Sequence, residues 1–401
     1  MSMVVKIKIT HDDVAFLFPK KIKEMSEEEL IEEHRKRLKR VPGFREGKPP
    51  EPWYLHDHVS FEEEVKDFYG QPWGARGNGR LKAVLMSPPT RNEIRKPYYE
   101  DPVAYWVPNR ALPPKEPDLG RWLDQYHHLV EVYEKEGIVV YEVEPPEPAL
   151  GPYGFIRWFS SSADVATVID GGAIIPRAAW NPISRGREVV WTRALIEIGV
   201  PILYTIHGKG IGEVGGCVWL DDNHFIVTEG IIMNREGIEQ LKPIFKMHGI
   251  EMINARVPGF LDNVRWPAGG TSHPDMWVAF PDVKTAVLYP PMVEYNFVKF
   301  LKRLDFDIIE ASPEEYLKSG CNMVVIEPGK VVTASGSDNV KREMEKRGIE
   351  VLTVPYDEPA GGEGAGGAID CTTCQLIRDP GPLVERLVEK SIKEIAPELA
   401  V

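Results

Sequence analysis

The sequence predicts one large α/β domain built from an internal repeat and preceded by an N-terminal extension, and two observations predict it. From Leu81 onward the same pattern recurs: an amphipathic helix of 3.6-residue period, then a short run rich in Val, Ile or Leu. The helices end in or near glycine, and no linker-like stretch divides the chain after residue 81.

Residues 1–75 read as the extension: a strand at Val4 to Ile9, then the charged run MSEEELIEEHRKRLKR, whose acidic residues precede its basic ones as a helix dipole prefers. The Pro- and Gly-rich PGFREGKPPEPW breaks that pattern and marks a loop. Residues 76–401 form the domain. LKAVLMS is its first strand, and DLGRWLDQYHHLVEVYEKEG its first helix, with Leu119, Leu123, Tyr126, Leu129 and Val132 at helical spacing and Gly137 as the stop before IVVYEVE. GREVVWTRALIEIG then precedes VPILYTI, GIEQLKPIFKMHG precedes IEMINA, VEYNFVKFLKRL precedes FDIIEA, and SDNVKREMEKRG precedes IEVLTV. Five helix–strand returns suggest repeated units that bury their apolar faces against one another. A doubly wound sheet is the rival fold, but no GxGxxG follows the first strand.

Composition excludes several classes. No run approaches the ~20 apolar residues of a membrane helix, and the N-terminus lacks the order of a secretory signal, so a cytoplasmic protein without membrane partners is expected. A formal charge of −13 argues against nucleic acid as a partner and suits a small cation. Cys217, Cys321, Cys371 and Cys374 are too few for a disulfide scaffold and lack the spacing of a zinc ribbon. His56 and His58, and the adjacent His127 and His128, lack the three convergent ligands of a catalytic metal, so neither metal nor other cofactor is expected.

Four segments carry residues suited to chemistry. PAGGEGAGGAIDCTTCQLIRDPG is a glycine-rich approach to Cys371, permitting the close backbone contacts a nucleophile's loop often needs; a flexible loop before a buried strand is the plain alternative. In GGTSHPDMWVAF, His273 and Asp275 stand two apart, so in an extended segment they face one ligand together as an acid–base group and a cation-binding group. Asp164 stands at the entry to an apolar strand in RWFSSSADVATVIDGGAII, where a cap or turn residue is also common. Glu213 precedes paired glycines in GKGIGEVGGCVWLDDNHFIV, where a solvated turn acid is the alternative.

Together these segments resemble the guanidino-group-modifying enzymes: arginine deiminases, the dihydrolases that include dimethylarginine dimethylaminohydrolase, and the amidinotransferases. The resemblance runs from about Leu81 to Pro382, in the order SSADVATVIDGGA, EVGGC, HPD and GGAIDCTTCQLIRDP, with GCNMVVIEPGKVVTASGSDNV, including Asn322, also similar to the deiminases. It implies a five-fold pseudosymmetric α/β propeller of ββαβ-type repeats. It further implies Cys371 as nucleophile, His273 as general acid and then base, Glu213 orienting it or contacting substrate, and Asp164, Asp275 and Asn322 on the substrate. The implied activity is hydrolysis of the guanidino group of arginine or a relative through a covalent amidino-cysteine. An amidinotransferase passing that group to an amine uses the same first half-reaction, and a catalytically inert propeller that binds a ligand is the reading of another class.

Deiminases usually carry Glu-Gly-Gly-Asp, whose Asp receives the substrate's α-amino group; here the string is Glu213-Val214-Gly215-Gly216-Cys217, so only a guanidino end is implied. Arg187 and Arg265, with Trp106, Asn109 and Arg157, are candidates to shape the pocket, since an arginine receives a carboxylate bidentately. Cys374 reads as a small buried hydrophobe. The expected partner is a small cationic guanidino substrate, and a homo-oligomer is compatible with everything above.

Overall fold

The computed structural model describes residues 10, 17, 20–41, 43–48, 59–94, 117–152, 154–156, 158–178, 185–230, 232–257, 273–359 and 367–401. In the extension, α1 (Glu27–Leu38) and α2 (Phe61–Tyr69) each open on a capping box, Ser26 with Glu29 and Ser60 with Glu63. α1 buries no side chain, whereas α2 inserts Val65 into the domain core beside Trp73 and Ala75. The extension is therefore partly built into the domain: Gly74 already bridges to Ile377. The strand expected at Val4 to Ile9 lies outside the described residues.

The domain opens with β1 (Leu81–Met86), α3 (Leu119–Lys135) and β2 (Val139–Glu142). Asp118 caps α3 by accepting from the Arg121 N–H, and Gly137, at φ 73°, turns the chain toward β2. The buried stripe of α3 is Trp122, Tyr126, Leu129 and Tyr133, each worth about 1.5–3 kcal/mol of apolar burial.

The next unit is β3 (Thr167–Ile169), β4 (Gly172–Ile175), α4 (Arg187–Ile198) and β5 (Ile202–Thr205). A third follows as β6 (Val218–Asp221), β7 (His224–Val227), α5 (Arg235–Met247) and β8 (Glu251–Asn254). The fourth is β9 (Val278–Asp282), β10 (Thr285–Leu288), α6 (Tyr295–Arg303) and β11 (Asp307–Glu310). The fifth is β12 (Met323–Glu327), β13 (Lys330–Ala334), α7 (Asp338–Glu345) and β14 (Glu350–Val354), and β15 (Cys374–Arg378) comes last.

Each unit from the second to the fifth has one topology. Its first two strands pair antiparallel through a tight turn, and a helix then returns the chain so that the third strand lies parallel to the second. The first unit lacks its own leading strand and takes β15 instead, with Leu81 opposite Arg378 and Leu85 opposite Cys374. That exchange closes the ring, giving the five-fold α/β propeller of ββαβ units. The doubly wound alternative is excluded, since the strands form separate three-stranded sheets rather than one continuous sheet.

The apolar cores lie between neighbouring units. Val84, Tyr126, Val324 and Val354 join the first unit to the fifth; Ile169, Ile174, Phe225 and Phe245 join the second to the third. The C-terminal tail folds back over the third and fourth units, burying Val384, Leu387, Ile392 and Leu399. Among the described residues no helix is long and apolar enough to cross a membrane.

Candidate active site

Because all five units share a topology, each enters its leading strand at an equivalent place, and the residues singled out by the sequence occupy those entries. Asp164 sits in the turn Ala163–Val165 before β3, and Glu213 starts the turn Val214–Gly216 before β6. His273 and Asp275 flank the first residue of the turn Pro274–Met276 before β9, Asn322 immediately precedes β12, and Cys371 lies three residues ahead of β15.

The entries meet at Cys371. Its Sγ stands 3.1 Å from Asp275 Oδ2 and accepts from Asn322 Nδ2 at 3.3 Å, while the same Nδ2 donates to Asp275 Oδ2 at 2.9 Å. Asn322 is wholly buried and its Oδ1 accepts the Asp370 N–H at 2.8 Å, so its amide is locked with the donor facing sulfur and carboxylate. His273 Nε2 lies 2.8 Å from Glu213 Oε2, and its Nδ1 lies 3.7 Å from Asp164 Oδ1. Asp164 Oδ1 and Asp275 Oδ1 are buried without a hydrogen-bond partner among the described residues. A carboxylate oxygen left so in a protein interior is costly unless something binds there.

The turns are held from behind. Ala163 N donates to Cys371 O at 2.9 Å, Ser162 Oγ to Thr372 O at 3.1 Å, and Tyr356 and Tyr133 reach the hydroxyls of Thr372 and Thr373. Two glycines matter sterically. A Cβ on Gly215 would lie 1.5 Å from the Ala163 carbonyl oxygen, and one on Gly216 would lie 2.5 Å from Cγ of His273. Gly216→Ala is therefore expected to push the imidazole off Glu213 and cut kcat by about 10²-fold, the size of effect an ångström of misplacement produces. Steady-state kinetics beside a melting curve checks this, the fold being retained.

The charges are interdependent. Burial disfavours a charged imidazole at His273, but Asp164, Glu213 and Asp275 outweigh it and raise its pKa to about 10. Burial, then the negative charges of Asp275 and Asp164, push the Cys371 thiol well above the usual range. Burial also raises Asp164, and raises Asp275 to about 6. Near neutral pH the site thus holds an imidazolium and a thiol hydrogen-bonded to a carboxylate. A bound cation between the two carboxylates would offset their charge and favour the thiolate.

Other residues fall differently. Arg187, the first residue of α4, is only 3 % exposed and donates to the carbonyls of Trp158 and Ser161, with Asp164 Oδ2 3.7 Å away. It supports the Asp164 turn from behind. Arg265, Trp106, Asn109 and Arg157 lie outside the described residues. Cys217 is buried in the apolar cluster with Trp219 and Phe225, its thiol pushed up by burial, and Cys374 is a core residue. Among the described residues no group of three His, Cys, Asp or Glu side chains is arranged to hold a metal. Sequence reasoning missed Met276, whose Sδ is 3.7 Å from Cys371 Sγ, and Glu93, a wholly buried acid that accepts the Trp158 and Ser160 N–H groups. Met276 could have been found from its place next to Asp275 on the same turn; Glu93 carries no local signal.

Residues 276–378 match the arginine deiminase family, a span that includes Asn322 and Cys371. A 2-nitroimidazole nitrohydrolase of Mycobacterium sp. (strain JS330) is 26% identical over 366 residues, covering 86% of this chain and 93% of that protein. Among solved structures, a dimethylarginine dimethylaminohydrolase mutant from Pseudomonas aeruginosa complexed with citrulline superposes with TM-score 0.56 and 19% identity, covering 74% of this chain and 99% of that one. The N-terminal domain of ArgZ, a cyanobacterial arginine dihydrolase, covalently bound to a reaction intermediate, gives TM-score 0.59 at 18% identity, covering 75% of this chain and 99% of that one.

Proposed function

We propose that this chain, which shares its fold with the dimethylarginine dimethylaminohydrolase and ArgZ structures, is a cysteine-dependent hydrolase of a guanidino compound, arginine or a relative. One observation carries the reading: two carboxylate oxygens that make no hydrogen bond among the described residues, Oδ1 of Asp164 and Oδ1 of Asp275, stand with the Cys371 thiol, a constellation suited to a planar cation bearing N–H groups around an electrophilic carbon.

In the mechanism, Asp164 and Asp275 accept the guanidinium N–H groups, and their charge is neutralised as the substrate enters. Cys371 Sγ bonds to the central carbon while its proton passes to Asp275 Oδ2, the oxygen it already faces. The imidazolium of His273 protonates one nitrogen, the C–N bond breaks, and an amine leaves, so that the carbon remains as a cationic amidino-thioether on the enzyme. His273, now neutral, takes a proton from water as its oxygen attacks the same carbon. The C–S bond then breaks, the sulfur takes back the proton held by Asp275, the hydroxyl proton of the adduct passes through solvent to the released amine, and the neutral urea-type product departs. One water is consumed for each C–N bond broken. Glu213, 2.8 Å from His273 Nε2, orients the ring through both steps, and Asn322 donates to the sulfur whenever it carries charge.

The nitrohydrolase relative favours a second reading, in which the attacked carbon lies between two ring nitrogens of a 2-substituted imidazole and the leaving group is not an amine. The enzyme should be incubated with arginine, with arginine plus glycine, ornithine or lysine, and with 2-nitroimidazole. Citrulline and ammonia released in equal amounts without an added amine are expected. Ornithine formed only when an amine acceptor is supplied would overturn the hydrolase in favour of an amidinotransferase, and nitrite release without citrulline would move the substrate to the imidazole class.

A further inference from the structure

We infer that Glu93 is a positioning residue: with Arg187 it clamps the backbone of residues 158–161 from two sides and thereby holds Asp164 in line with Cys371 for a cationic substrate. The inference rests on the reading of Asp164 as a cation-binding carboxylate.

Glu93 lies in the turn after β1, has no solvent exposure, and belongs to none of the strand-entry turns. Its Oε2 accepts the Trp158 N–H at 2.7 Å and its Oε1 the Ser160 N–H at 3.3 Å. The neighbouring Asn92, equally buried, fixes the start of the same loop by donating to Pro146 O and accepting from Ala149 N. From the other side Arg187 donates to Trp158 O at 2.6 Å and Ser161 O at 3.3 Å. The segment between them needs such restraint, because Trp158 is a non-glycine residue at φ 61°. A side chain in that left-handed region persists only where its surroundings over-determine it.

The clamped segment runs directly into the site. Ser162 Oγ and Ala163 N bond the backbone of Thr372 and Cys371, and Asp164 follows. Relaxation of Trp158 would therefore move the acid that faces the substrate relative to the sulfur that attacks it. A buried carboxylate with two backbone donors is not replaceable by an apolar group of similar size, since both N–H groups would be left unsatisfied.

Cys371 labelling by neutral iodoacetamide and by cationic chloroacetamidine separates positioning from general support. The second-order rates should be measured by mass spectrometry on the full-length chain and on Glu93→Gln, Asp164→Asn and the double variant. Asp164→Asn sets the scale: the cationic-to-neutral rate ratio should fall about tenfold or more. Glu93→Gln is expected to lower the ratio similarly with the neutral rate little changed, and the double variant to fall no further, as coupled sites do. If Glu93→Gln keeps the wild-type ratio while Asp164→Asn loses it, Glu93 is only a structural residue and the inference fails. If Asp164→Asn itself keeps the ratio, the cation-binding reading fails and takes the inference with it. Should Glu93→Gln not fold, Arg187→Gln decides, since the shorter side chain withdraws the Nη1 donor that serves both carbonyls; an unchanged ratio there overturns the clamp.

Discussion

Cys371→Ser is expected to lower turnover by about 10⁴-fold or more, the scale on which loss of a covalent nucleophile is felt, with the melting temperature nearly unchanged. The serine hydroxyl is smaller and far less acidic than the thiol, but it still donates toward Asp275 and accepts from Asn322, so the buried polar groups stay satisfied. Intact mass after treatment with a haloacetamidine should show one added group on the wild type and none on the variant. The same pair of measurements tests the inert propeller, which requires that neither activity nor labelling depend on this sulfur. All four cysteines are buried, but among the described residues Cys371 is the one whose sulfur faces a site carboxylate, so a cationic label confined to it is the expected pattern.

The second large effect belongs to His273. His273→Gln is expected to lower kcat by about 10²–10⁴-fold, the range of a lost general acid–base group, with a smaller change in KM. The variant should also lose a limb of the pH profile. On the proposed mechanism the proton for the departing amine comes from an imidazole of pKa about 10, so kcat/KM should fall as pH rises through that value; the residual activity of the variant should not show that fall. The sign for stability follows from the same shift. A histidine raised above its ordinary 6.5 contributes stability fully present below that pH and lost as pH rises through about 10. The stability gap between wild type and His273→Gln in urea should therefore narrow from pH 6 toward pH 10.

Local structure was legible where it is encoded locally. Helices such as α3 and α5 announce themselves through apolar spacing and a terminal glycine, and the parallel strands that follow them through Val and Ile. Partnership was not legible, because period and propensity say nothing of which strand lies beside which; the pairing of β15 with β1 joins segments from opposite ends of the domain. For the site, Cys371, His273, Asp275, Asp164 and Glu213 stand beside glycines, turns or one another, and such strings can be read. Arg187 cannot be understood that way, because its burial beneath Trp158 and Ser161 is tertiary. Glu93 sits in the charged string RNEIRK and looks like a solvated turn acid, although it is wholly buried. Cys217 stands where a deiminase would carry a carboxylate, yet its surroundings are those of a core hydrophobe.

The borrowing of β15 by the first unit also bears on how the protein is made. A ribosome delivers Asp164, Glu213, His273, Asp275 and Asn322 before Cys371, so the sulfur is the last of these groups to emerge. Until β15 docks, β1 presents an open hydrogen-bonding edge, and on the proposed function the carboxylates have no nucleophile to serve. Docking joins residues separated by most of the domain's length, which makes it a slow, late event on topological grounds. On the proposed function, reactivity and completion of the ring are then acquired in a single step.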